Sequence, residues 1–180
     1  MLKLFGLHVF LAVSALHQQP NWTGPYEPCA NSPELKKSGH MSLGVRYDID
    51  DPVIIDQFHR AFDFWSKVVD ADFFDDQSSS CAIAIVDGDR SILASRTVVA
   101  RAQLPDRLNF SGWIAINTVV AAALVDDDAV AVWMHEIGHL LGLKHNNSPT
   151  SLMYFMDADA TSRLDESDLR ALAVLHALRQ

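Results

Sequence analysis

The residues best equipped for chemistry stand in one stretch: His135-Glu136-Ile137-Gly138-His139-Leu140-Leu141-Gly142-Leu143-Lys144-His145, or H-E-x-x-H-x-x-G-x-x-H. Residues four apart share a helix face, so His135 and His139 can offer two imidazoles to one ion. Glu136 is not placed as a third ligand, but it can reach a water held by that ion. Gly142 can end the helix in a left-handed turn, which a residue with a Cβ enters at some cost. The chain can then swing back and bring His145 to the same ion. Three neutral imidazoles with one open position describe a catalytic zinc site, whereas structural sites close all four positions.

Such a site needs a firm helix. The sequence predicts one from Ala129 to about Leu141, apolar nearly all round through Val130, Val132, Trp133, Met134, Ile137, Leu140 and Leu141, and therefore buried. Asp126, Asp127 and Asp128 precede it, where carboxylates favour the helix dipole and can cap free amides. A buried Glu136 is costly without a partner, and an ion with its water supplies one. Upstream, Leu43 to Ile49 alternates like a half-buried strand. Asp51-Pro52 opens a helix whose stripe is Ile55, Phe58, Phe62, Trp65 and Val69, with His59 as a surface side chain. Asp70 to Ser80 reads as a polar connection. Cys81 to Val86 reads as an interior strand ended by an Asp87-Gly88-Asp89 turn. Further strands are expected over Arg96 to Leu104, stopped by Pro105, and over Gly112 to Asn117. Downstream, Ser148-Pro149 turns the chain before Ser151-Leu152-Met153-Tyr154. A last helix is expected from Asp165 to Leu178, capped by Asp165, with His176 in its apolar stripe as a packing residue and not a ligand.

The bulk properties bound the answer. At 180 residues, 49% of them hydrophobic, the chain suits one domain with a real core. A formal net charge of −9 argues against nucleic acid as a partner and leaves no polybasic membrane patch. Residues 1–15 read as a secretory signal: Lys3, an apolar run from Leu4 to Val13, and a small-residue cleavage site after Ala15. The plainer alternative is a buried first strand or helix, and the run is too short to span a bilayer. Residues 16–40, broken by Pro20, Pro25, Pro28 and Pro33, form a loop-rich lead-in or short pro-segment, and residues 41–180 form the domain proper. A genuine signal makes the mature protein secreted and extracellular. Asn21, Asn109 and Asn146 open glycosylation sequons, the last placed where no glycan is expected. Cys29 and Cys81 make one disulfide on the simpler account, since an oxidising compartment pairs an even count. The sharper alternative has a Cys29 thiolate capping the zinc in a latent precursor.

The histidine motif followed by Met153 resembles the metzincin metallopeptidases, whose long zinc sequence precedes a methionine-containing turn below the metal. Within that clan the chain is most similar to the matrixins, the matrix-metalloproteinase type, over about residues 43 to 178. Phe62-Asp63-Phe64-Trp65-Ser66 resembles their first-helix pattern. Val99 to Pro105 resembles the edge strand that pairs with substrate, and Ser151 to Tyr154 their methionine turn. The resemblance implies an α+β fold: a twisted five-stranded mixed sheet with two long helices, a zinc cleft, and a small C-terminal subdomain carrying a third helix. It implies a zinc endopeptidase acting on protein or peptide substrates, with Glu136 as general base and Met153 as a hydrophobic base beneath the imidazoles. Val99, Ala100 and Arg101 would meet the peptide backbone, and Tyr154 and Phe155 would line the pocket beside the metal. A monomer is expected. There are departures. Arg101 stands where matrixins usually have a histidine for a second, structural zinc, so one catalytic zinc is expected. The loop around Asp87 to Ser95 is short, which weighs against the family's calcium sites. Asn146 replaces the usual serine, Phe155 the usual proline, and Pro28-Cys29-Ala30-Asn31 is only a fragment of the cysteine-switch sequence. The alternative function is a catalytically silent zinc-binding interaction module of the same fold, against which an intact Glu136 argues.

Overall fold

The computed structural model describes residues 40–79, 82–88, 93, 95–103, 112–155 and 158–179. The signal expected over residues 1–15, the lead-in expected over residues 16–40 except His40, and both Cys29 and Cys81 with their pairing lie outside the described residues. The sheet is five-stranded and mixed. Strands β1 (Met41–Asp48), β2 (Ala71–Asp75), β3 (Ile83–Asp87), β4 (Ala100–Ala102) and β5 (Trp113–Ile116) lie in the order β2-β1-β3-β5-β4. All neighbours are parallel except β4, an edge strand antiparallel to β5 with Arg101 opposite Ala115. The helices are α1 (Pro52–Val68), α2 (Thr118–Ala121), α3 (Asp126–Leu140) and α4 (Glu166–Leu175).

α1 starts where the sequence predicts. Asp51 is its N-cap, accepting from the N–H groups of Val53 and Ile54, and Pro52 fills the first turn without wasting a donor. Its buried stripe runs Ile54, Gln57, Phe58, Ala61, Phe62 and Trp65, so Ile54 and not Ile55 begins it. This stripe meets α3: Phe58 stacks on Trp133 with ring centroids 4.8 Å apart, and the Trp65 indole N–H donates to the Met134 carbonyl at 2.9 Å. Both helices cover one face of the sheet in a single core that includes Val45, Ile83, Ile85, Ile114 and Ile137. Ala84, Leu93, Trp113 and Ala115 form a smaller cluster apart from it. His59 is a surface residue as expected, hydrogen-bonded to Asp75.

Four expectations need correcting. Residues 71–75 are not a plain connection but strand β2, hidden in the sequence because an edge strand half open to solvent keeps polar side chains. Among the described residues, the strand expected over Arg96 to Leu104 is regular only at Ala100–Ala102. The three aspartates expected before α3 are its first three residues and do not cap it: the N-cap is Val125, with no side-chain bond. Asp126 instead accepts from Gln57 and Arg60 on α1, and Asp128 from the Ala160 N–H. Their charge still sits in the first turn, where the dipole favours it. α4 ends at Leu175, so His176 lies just past it, with its ring Nε2 2.7 Å from the Leu141 carbonyl. Beyond α4 the chain returns to the β1–β2 corner. Val69 bridges Leu178, the Asp70 N–H donates to the Ala177 carbonyl, and Arg179 pairs with Asp72. His40 bonds Asp70 at the same corner.

Candidate metal centre

α3 delivers His135 and His139 one turn apart and both buried. It then stops as Gly142 allows. Gly142 has φ +91°, its N–H donates to the His139 carbonyl, and the Leu143 N–H donates to the Gly138 carbonyl. These are the paired bonds of a Schellman end, which uses up helix carbonyls and reverses the chain. The reversal brings exposed His145 back beside the helix. Ligand atoms of His135, His139 and His145 lie within 4.8 Å of one another, and the Nε2 atoms of His139 and His145 are 3.1 Å apart.

The donor chemistry fits a zinc ion. His135 Nδ1 lies 2.7 Å from the Leu152 carbonyl and His139 Nδ1 lies 2.8 Å from the Leu143 carbonyl. A carbonyl only accepts, so each Nδ1 carries the proton and each Nε2 keeps a free lone pair. A tetrahedral zinc with Zn–N bonds of about 2.0–2.1 Å sets its nitrogens about 3.3 Å apart, close to the spacing of His139 and His145. Burial pushes all three imidazoles below their ordinary value, His139 furthest, to about 3, with the neighbouring His135 adding to its shift. They are neutral at pH 7, the state a metal requires. The triad can hold a metal ion.

Beneath the helix lies Met153, fully buried. A Cβ on Gly138 would sit 2.6 Å from Met153 Sδ and 3.1 Å from Trp65 Cζ2, so a glycine is required for the turn to press this close. The turn is fixed from both sides: the Leu152 N–H donates to the Arg163 carbonyl, and the Asn146 N–H to the Met153 carbonyl.

Glu136 is 7% exposed, and its Oε2 accepts from the Ala102 N–H on β4 at 2.6 Å. Burial raises its carboxyl to about 7, against the opposing pull of the Ala102 bond and the Arg101 charge. The structure thus gathers His135, His139, His145 and Glu136, with Met153 below. Ala100 and Arg101 lie on the edge strand, and Val99 precedes it, its carbonyl accepting from the Asn117 N–H. Tyr154 and Phe155 follow the methionine turn with their rings 4.9 Å apart, Phe155 about half exposed. Sequence reasoning missed Ala102, whose contribution is a backbone N–H and leaves no trace in residue type. It also missed Gly138, although a glycine inside a strongly apolar helix is itself a signal of close approach.

None of the curated proteins matches the chain at a significant level. A family model does match, that of the matrixins, a zinc-dependent metallopeptidase family, and it covers residues 43–177 from β1 to just past α4. With the histidine triad inside that span and the mixed sheet that carries it, the chain belongs to the matrixin family.

Proposed function

We propose that this chain is an active, secreted zinc endopeptidase with one catalytic ion held by His135, His139 and His145. The observation that carries the reading is a buried carboxylate, Glu136, fixed beside three neutral imidazoles by the N–H of an edge strand. A zinc ion held by these three imidazoles would supply the polarisation of a peptide carbonyl and the acidification of a water. The rest is work for the chain's own groups. With Oε2 engaged by Ala102, Glu136 has Oε1 free to take the proton of the attacking water and pass it to the departing amine. Burial pushes its carboxyl up toward neutral pH in the metal-free chain, and the charge of a bound zinc would act against that shift. β5 occupies one edge of β4, so an extended substrate backbone pairs along the other, beside Val99, Ala100 and Arg101. Tyr154 and Phe155 form the apolar wall for a substrate side chain. Met153 supports the imidazoles from below.

The test compares the parent with Glu136→Ala on unfolded casein, with metal content measured alongside. Loss of cleavage by at least about 100-fold with one zinc still bound is expected, the scale of a lost general base. Full activity in the variant would refute the mechanism, and a parent that binds zinc but never cleaves is the silent module. Sequencing the N-terminus of the mature protein tests secretion, with cleavage after Ala15 expected.

A further inference from the structure

The metal motif ends at His145, but the bonds that fix His145 continue into the next residue. The Asn146 N–H donates to the Met153 carbonyl at 2.7 Å, and its Oδ1 accepts from the Ser148 N–H at 2.9 Å. Its Nδ2 lies 2.7 Å from Asp165 Oδ2, 3.0 Å from Ser167 Oγ and 3.0 Å from Asp168 Oδ1. Asp168 Oδ2 accepts from Ser151 Oγ at 2.7 Å and from the Asp165 N–H at 3.2 Å. Ser151 Oγ in turn accepts from the Met153 N–H at 2.9 Å. Asp168 is 4% exposed and Ser151 is fully buried.

The chemistry of this cluster is one-sided. An amide NH2, a hydroxyl and a backbone N–H meet the Asp168 carboxylate, and all are donors. Only an ionised carboxylate accepts at both oxygens, so asparagine at 168 must turn its own NH2 toward a donor. A buried donor left without an acceptor costs more than the bond itself contributed. His145, meanwhile, is the ligand that needs help. His135 and His139 are held by a buried helix, while His145 is exposed and sits on the loop after it.

We propose that Asn146 positions His145 for the metal by tying its loop to the last helix through the buried carboxylate of Asp168. The proposal rests on the zinc reading of the triad. One carboxylate then anchors two things at once: the loop carrying the third ligand, through Asn146, and the methionine turn, through Ser151. Asn146 is a positioning residue. A glycan on its Nδ2 is incompatible with this clamp, which gives the sequon at 146 a physical reason to stay unmodified.

Zinc affinity, read by competition with a chromophoric chelator, tests the proposal on the parent, Asn146→Ala, Asp168→Asn, the double variant and Leu172→Ala. Leu172 is a fully buried core residue of α4 outside the clamp, so its truncation reports general loosening. Asn146→Ala and Asp168→Asn should each weaken zinc binding by about 10–100-fold, the usual range for a group that orients a ligand. The double variant should lose less than the product of the two singles, because the Asn146–Asp168 contact is common to both. Leu172→Ala should lower thermal stability and keep the parent's zinc affinity. With cobalt in place of zinc, the visible absorption should change in Asn146→Ala and stay the same in Leu172→Ala. A parent that binds no zinc overturns the metal reading and this proposal together. A parent that binds zinc, beside an Asn146→Ala chain that binds it equally, overturns this proposal alone, as does a double variant that loses the product of the two singles. If Asp168→Asn does not fold, Asn146→Ala decides by itself, since its side chain is only half buried.

Discussion

At the scale of single residues, the centre is a set of groups held in the protonation states their work requires. His135 and His139 are neutral because they are buried, and each has its proton fixed on Nδ1 by a carbonyl. Glu136 is the opposite case. Its carboxyl rises from 4.5 to about 7. Between those values this carboxyl binds more protons in the folded metal-free chain than in the unfolded one, so its contribution to stability falls as pH rises through the window. Glu136→Gln removes that penalty. Urea denaturation of the metal-free proteins should find parent and variant alike near pH 4, with the variant ahead by about 3 kcal/mol at pH 8. An equal margin at both pH values would show that the burial of Glu136 carries no charge penalty. The three candidate ligands were legible in the sequence because they form one local pattern. The groups that orient them were not. The carbonyls of Leu152 and Leu143, the amide of Ala102 and the carboxylate of Asp168 come together through tertiary packing, and a backbone group has no letter of its own.

At the scale of elements, α3 is defined by how it stops. The sequence signalled this through Gly142, and the structure gives it φ +91° with the Leu175 Cδ1 atom 2.9 Å from where a Cβ would stand. Gly142→Ala meets both the left-handed backbone and that side chain. It should cost about 1–2 kcal/mol from the backbone alone, seen as a lower urea midpoint. Because the same turn returns His145 to the helix, zinc affinity should fall with it. An Ala variant as stable as the parent would show that the loop can reverse by another route. Strong periodicity made α1 legible, while β2 was read as a connection, β4 was drawn too long and α2 went unread, for separate reasons. β2 is a half-open edge, β4 is three residues long, and α2 is a single turn whose cap is Asn117. None of the three buries enough to impose a pattern on its residues.

At the scale of the whole molecule, the metal centre spans three parts of the chain: α3, the loop after it and the methionine turn. An ion that binds only when these meet stabilises the fold by mass action. Saturating zinc at about 100 times its dissociation constant should add about 2.7 kcal/mol, read as a rise in melting temperature that chelator reverses. The gain should shrink as pH falls below about 6, because protons then compete for the imidazoles. The histidines' own contribution to the metal-free fold also weakens over that range, opposite in sign to that of Glu136. The histidines are depressed below 6.5, so the unfolded chain takes up protons that the folded one refuses. A zinc-induced shift that stayed constant down to pH 4 would point to ligands other than imidazole. One feature far from the metal bears on how the molecule carries load. The first and last described residues meet at the β1–β2 corner, where His40 and Arg179 both pair with Asp70 and Asp72. β2 and β4 are the two outer strands, four strand spacings or roughly 19 Å apart. Load applied at residues 40 and 179 therefore enters and leaves at one corner, on the side of the sheet opposite the edge strand that meets Glu136.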